Sequence, residues 1–172
     1  KKGIELAKSN DKSQMLGSLY INLGVMYWNT SDYSSGLEIA FEAKEYFEKE
    51  GSLYKNYELF NLLGLCYEGI MEYPLAIFNL NQAAKIALDK EQQGFAGIVY
   101  ANMGKVYSRD EKYDSALFYY KKGVLLEEKN KLLSNAGRSY VSIAHIYINI
   151  DMMDSARFYL EKALQYNKNT ND

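Results

Sequence analysis

Asn22-Leu23-Gly24-Val25-Met26-Tyr27 decides the fold of this chain, because the string returns. It recurs as Leu62-Leu63-Gly64-Leu65-Cys66-Tyr67 and as Asn102-Met103-Gly104-Lys105-Val106-Tyr107. A fourth, weaker copy is Ser142-Ile143-Ala144-His145-Ile146-Tyr147, and each copy follows the last by 40 residues. A second string keeps a fixed offset from the first: Tyr33-Ser34-Ser35-Gly36, Tyr73-Pro74-Leu75-Ala76, Tyr113-Asp114-Ser115-Ala116 and Met153-Asp154-Ser155-Ala156. Ala43, Ala83, Gly123 and Ala163 form a third column. Self-similarity at such a period is the signature of a repeat architecture, in which a unit too small to bury its own apolar face stacks on its neighbours.

Each repeat reads as two helices. Tyr20, Leu23 and Tyr27, like Phe60, Leu63 and Tyr67, fall at helical spacing. A glycine inside a helix costs about 1 kcal/mol against alanine. Gly24, Gly64 and Gly104 in register therefore imply close approach of a partner helix. Gly36, Ala76, Ala116 and Ala156 are their expected counterparts, with tyrosine rings filling the volume around the contacts. Ser31, Asp110 and Asp151 are expected N-caps of the second helices. Pro74 suits a first helical turn. Asp89 and Gln92 have the spacing of a capping box. The expected divisions are 13–50, 51–90, 91–130 and 131–172, the last including a polar tail. Residues 1–12 are expected to be the last helix of a preceding partial repeat, so the chain reads as part of something longer.

Composition narrows the function. The chain has 172 residues, 48% hydrophobic and 15% aromatic, which is enough for a core and too much for disorder. Twenty basic against 22 acidic residues remove the electrostatic case for a nucleic-acid binder. One cysteine excludes an internal disulfide and a Cys-rich zinc site. No apolar run approaches the roughly 18 residues of a membrane span. There is one proline against 17 tyrosines. That suits long helices and leaves the tyrosines as the feature the repeat must explain.

The columns resemble the tetratricopeptide repeat (TPR), whose first helix carries an aromatic, Leu-Gly and Tyr and whose second carries small residues. In successive repeats these are Tyr20, Leu23, Gly24, Tyr27, Gly36 and Ala43; Phe60, Leu63, Gly64, Tyr67, Ala76 and Ala83; Tyr100, Met103, Gly104, Tyr107, Ala116 and Gly123; and Tyr140, Ile143, Ala144, Tyr147, Ala156 and Ala163. The period departs from the family's usual 34 or so, and the terminal proline is missing. A 40-residue period is similar to the extended variant found in kinesin light chains, spindle-orienting adaptors and bacterial peptide-sensing regulators, and to repeats before the signalling domains of some histidine kinases and LuxR-type regulators.

The resemblance implies an all-α, right-handed superhelical solenoid of stacked antiparallel helix pairs. It also implies a concave groove of first helices that binds a protein or peptide segment. The groove residues it implies are Asn22, Val25, Trp28 and Asn29 in the first repeat and Glu58, Asn61, Leu65 and Glu68 in the second. The third gives Asn102, Lys105 and Arg109, and Ser18, Ile21, Ile98, Ala101 and Val141 are further candidates. The fourth gives Arg138, Ser142, His145 and Asn149.

Lys105 and Arg109 share a helix face. With Arg138 and His145 they make a basic patch for an acidic partner residue, opposite Glu58 and Glu68; the alternative is a solvated face of little effect. Asn22 and Asn102 either bond a bound backbone or face water. Trp28 is either a ligand anchor or cover for a neighbouring helix. Cys66 reads as a buried structural thiol within its repeat. His145 has no second ligand at metal spacing.

The leading expectation is therefore a non-enzymatic binding scaffold without cofactor, catalytic or metal site. The alternatives are a ligand-sensing segment of a bacterial regulator and a structural array that self-associates through its N-terminal edge. A cytoplasmic location is expected, with the periplasmic part of an anchored regulator as the alternative.

Overall fold

The computed structural model describes residues 13–53 and 56–168, and these are helical apart from short connections. The helices are α1 (Ser13–Asn29), α2 (Tyr33–Lys49), α3 (Tyr57–Gly69), α4 (Tyr73–Asp89), α5 (Gln93–Arg109), α6 (Tyr113–Lys129), α7 (Leu133–Asn149) and α8 (Met153–Lys168). The fold is all-α, built from antiparallel helix pairs that pack on their sequence neighbours. The proposed N-terminal partial repeat, and with it the self-associating edge, lies outside the described residues.

The second helices start at 33, 73, 113 and 153, a constant 40 apart. The first helices α5 and α7 keep the same interval, but α3 starts late. Asn56 caps it, the side-chain oxygen accepting the Leu59 N–H at 2.9 Å.

The chain forms two compact units, residues 1–86 and 87–172, with α4 reaching across the division. In the first unit α1 packs on α2 and on α3, and α2 packs on α3. A Cβ on Gly24 would lie 3.6 Å from the Gly36 carbonyl oxygen, and one on Gly64 would lie 3.2 Å from that of Ala76. The two small columns thus meet where the spacing predicts. In the second unit α5 packs on α6, α6 on α7, and α7 on α8. Ala116, Tyr120, Val124, Tyr140, Ile143, Ile146 and Ala163 make a continuous core there.

The closest helix approach in the second unit involves a pair outside the first small column. A Cβ on Gly123 would stand 2.8 Å from the Gly97 carbonyl oxygen and 3.0 Å from the Ala101 nitrogen.

The connections correct the expected helix starts. Ser31, Met71, Glu91, Glu111, Lys131 and Asp151 all have φ between 57° and 64°, as does Gly51. In the first connection the Ser31 N–H donates to the Trp28 carbonyl and the Asp32 N–H to that of Tyr27. The same pair of bonds recurs in every described connection, for example Glu111 to Ser108 and Lys112 to Tyr107. This is the Schellman closure, in which a left-handed residue satisfies the last carbonyls of a helix. Ser31 and Asp151 are therefore the left-handed residues and not N-caps, and Asp110 caps the end of α5.

Except after Gly51, the residue after the left-handed one starts the next helix. Asp32 does so with its own side chain, accepting the Ser35 N–H at 3.2 Å. Asp89 closes α4 while Gln92 opens α5 without a side-chain bond, so no capping box forms. Pro74 does fall in the first turn of α4.

Cys66 is fully buried, and burial pushes its thiol up to about 12. Its sulfur would be 2.9 Å from a Cβ on Gly36. The thiol therefore packs against the second helix of the preceding repeat.

Candidate functional site

The predicted groove residues divide by burial. On α1, Asn22 and Asn29 are exposed and Val25 and Trp28 are half-buried. On α3, Glu58 is exposed and Asn61 half-buried, but Leu65 and Glu68 are buried, Glu68 to 2% exposure. Glu68 thus offers a partner almost no surface and Leu65 little, against the groove position expected of them. The reason is that α3 is enclosed along most of its length, with Leu59, Phe60 and the run Leu62–Cys66 also buried.

The second unit brings predicted residues together. Asn102 and Lys105 of α5 and Arg138 and Ser142 of α7 line one cleft of about 290 Å³, with Ile98 and Ala101 beside them. Arg109, His145 and Asn149 are exposed on the same two helices but do not line it. The register of α5 and α7 explains the set. Residues 98, 102 and 105, like 135, 138 and 142, lie three or four apart and so share a helix face.

Four lining residues escaped the sequence reading: Tyr120, Glu127, Asn135 and Ser139. Glu127 changes the electrostatics most. It is 1% exposed, and its Oε2 accepts the Ser139 hydroxyl at 2.9 Å. Burial pushes its carboxyl above the usual range, while the Ser139 bond and the Arg138 charge pull the other way and Glu128 adds to the rise. The cleft is thus not simply basic. Its buried side holds a carboxylate, and Lys105 and Arg138 lie nearer solvent. The signal was readable, since the other members of the Glu127 column are Phe47, Ala87 and Asn167, so this is a charge where two repeats are apolar.

Two carboxamides, two cations, two serine hydroxyls and one buried acid can hydrogen-bond an extended backbone and meet a charged side chain. Among the described residues no three His, Cys, Asp or Glu side chains are grouped to hold a metal ion. None of the described helices is long and apolar enough to cross a membrane.

Around this cleft the second unit is braced by tyrosines. Tyr107 stacks on Tyr119 at 5.3 Å and Tyr147 on Tyr159 at 5.4 Å, both with rings 9° from parallel. Glu128 Oε1 accepts the hydroxyls of Tyr140, at 2.7 Å, and of Tyr166, tying α6 to α7 and α8. The bond to Glu128, more than burial, pushes the Tyr166 hydroxyl up to about 12.

The paired helices, the small residues at their crossings and the cleft between alternate helices define a helical-repeat fold. Residues 98–130 and 137–170 match the tetratricopeptide-repeat family model. The second unit therefore carries two tetratricopeptide repeats. A sequence comparison with curated proteins finds no match.

Among solved structures it is similar in fold to aspartyl phosphate phosphatase F from Bacillus subtilis, with a TM-score of 0.83 over 91% of this chain at 18% identity. The chain spans 41% of that protein's length. It is also similar to BtubC from P. vanneervenii, with a TM-score of 0.80 at 14% identity, covering 92% of this chain and 66% of that one. MamA matches with a TM-score of 0.66 at 21% identity, covering 97% of this chain and 85% of that one. Identities this low bear on the fold alone.

Proposed function

We propose that the chain is a protein-binding module and that the α5–α7 cleft holds an extended segment of its partner. The observation that carries this is the convergence of Asn102, Lys105, Asn135, Arg138 and Ser142 on one open space. These are groove-facing positions of two first helices, where the repeats differ from one another while their packing columns agree. In this reading Asn102 and Asn135 bond the peptide backbone, and Lys105 and Arg138 meet an acidic side chain. Glu127 keeps Arg138 oriented from below.

The test is a peptide-display selection on the full chain. Affinities of the enriched peptides are then measured for Asn102→Ala and Arg138→Glu. Each substitution is expected to weaken binding tenfold or more, about 1.4 kcal/mol. Unchanged affinity in both variants overturns the assignment, and so does enrichment of basic peptides in place of acidic ones.

A further inference from the structure

A second pocket, of about 230 Å³, lies in the second unit where α6, α7 and α8 meet. Val124, Leu125 and the rings of Tyr140 and Tyr159 line it, together with Lys121 and Lys162. None of the cleft residues above belongs to it.

Three observations show that packing does not require it. Leu125 is 66% exposed, although the same column holds Glu45, Lys85 and Gln165 in the other repeats. Lys121 stands where the other repeats have Phe41, Asn81 and Glu161. The described contacts of both ammonium groups are with aromatic rings and a hydroxyl, not with carboxylates. Lys121 Nζ donates to the Tyr147 hydroxyl at 3.2 Å and lies 5.9 Å from the Tyr159 ring centre. Lys162 Nζ lies 5.2 Å from those of Tyr140 and Phe158.

An apolar recess this small is below the roughly 300–1,000 Å³ of small-molecule sites. It has the capacity of a single side chain. Two cations turned onto rings keep donors for an anion, and leaving water in favour of a carboxylate strengthens the hydrogen bonds they make.

We propose that this pocket docks an acidic peptide segment of a partner protein. One bulky aliphatic side chain seats against Leu125 and Tyr159, and flanking carboxylates meet Lys121 and Lys162. The site is independent of the α5–α7 cleft, and the chain would engage its partner on two faces.

The probe is an acetylated, amidated octapeptide with a central leucine flanked by glutamates, titrated into the ¹⁵N-labelled full chain. A glutamine-flanked twin serves as control. Expected are saturable shifts at Lys121, Leu125, Tyr159 and Lys162, with at least fivefold weaker binding of the twin. Leu125→Glu, which copies Glu45 of the first repeat and so preserves the fold, is expected to abolish the shifts. The proposal is overturned by equal binding of the twin, by shifts confined to the α5–α7 cleft, or by no shifts at all. Shifts at Leu125 that track protein concentration without peptide also overturn it, in favour of a second copy of the chain.

Discussion

Residues 1–86 and 87–172 share their packing columns but differ in what surrounds them. In the first unit the residues at the Tyr119 and Tyr159 column are Ile39 and Asn79, both buried, and Asn79 spends its amide on the Leu75 carbonyl. In the second unit that column is tyrosine, and each ring stacks on the tyrosine that follows the Gly column. At the column of Glu127 the first unit has Phe47, whose ring would meet a Cβ on Gly17 at 2.4 Å. The described cavity of the first unit is lined by Leu16, Tyr20, Glu42, Glu45, Tyr46 and Lys49, none of them an expected groove residue. Helix pairs built on the same columns therefore support different surfaces. Where the repeats agree they hold the helices together, and the proposed sites fall where they disagree.

Glycine substitution exposes this contrast most strongly. Gly123→Ala drives a methyl into the backbone of α5, and we expect a loss of about 2–3 kcal/mol of unfolding free energy. Gly24→Ala meets the end of the Leu62 side chain at 2.5 Å, which can turn aside, and helix propensity repays part of the strain. It is expected to cost less than about 1 kcal/mol. Equal losses in chemical denaturation would erase the difference between the two crossings.

Tyr119→Asn, which gives the second unit the residue that the first carries at Asn79, removes a stacked and a tilted ring contact. Aromatic pairs contribute about 0.5–1.5 kcal/mol each beyond their burial, so the expected cost is about 2 kcal/mol. A neutral result would show that the tyrosines do not brace the second unit.

Glu127 predicts a pH effect. Its carboxyl holds a proton more tightly folded than unfolded, so stability falls as pH rises from the usual glutamate range through the folded value. Glu127→Gln keeps an acceptor for Ser139 and removes the buried charge. Stability at neutral pH should rise by about 1 kcal/mol, with a shallower decline between acid and neutral pH. A loss of stability at neutral pH would mean that the Arg138 charge outweighs burial.

The smallest effect tests what the units share. Met71→Gly in the first unit and Glu111→Gly in the second relieve a left-handed side-chain residue at φ 64° and 57°. Each should stabilise by up to about 1 kcal/mol. A gain in only one would break the equivalence of the connections.

The helix pairs and their crossings were legible because four copies repeat the same columns. The connections were not, because six of the seven described left-handed positions carry side chains in place of the expected glycine. Ser31 and Asp151 looked like caps for that reason. Ten tyrosines had places in the columns, and the three at 20, 100 and 140 are indeed buried. The bracing rings Tyr119, Tyr159 and Tyr166 were missed because their columns are not aromatic throughout. Gly97 was missed because its column, with Gly17 and Gly137, is broken by Tyr57. At the site, α5 and α7 could be aligned by offset, but Glu127 comes from a second helix and Leu65 and Glu68 sit on an enclosed one.

The central claim is that the α5–α7 cleft holds an extended segment of a partner. The direct measurement is amide shift mapping of the full chain with a display-selected peptide. Perturbations clustered on Ile98–Lys105 and Asn135–Ser142 are predicted. Perturbations confined to α1 and α3, with α5 and α7 unmoved, would contradict it.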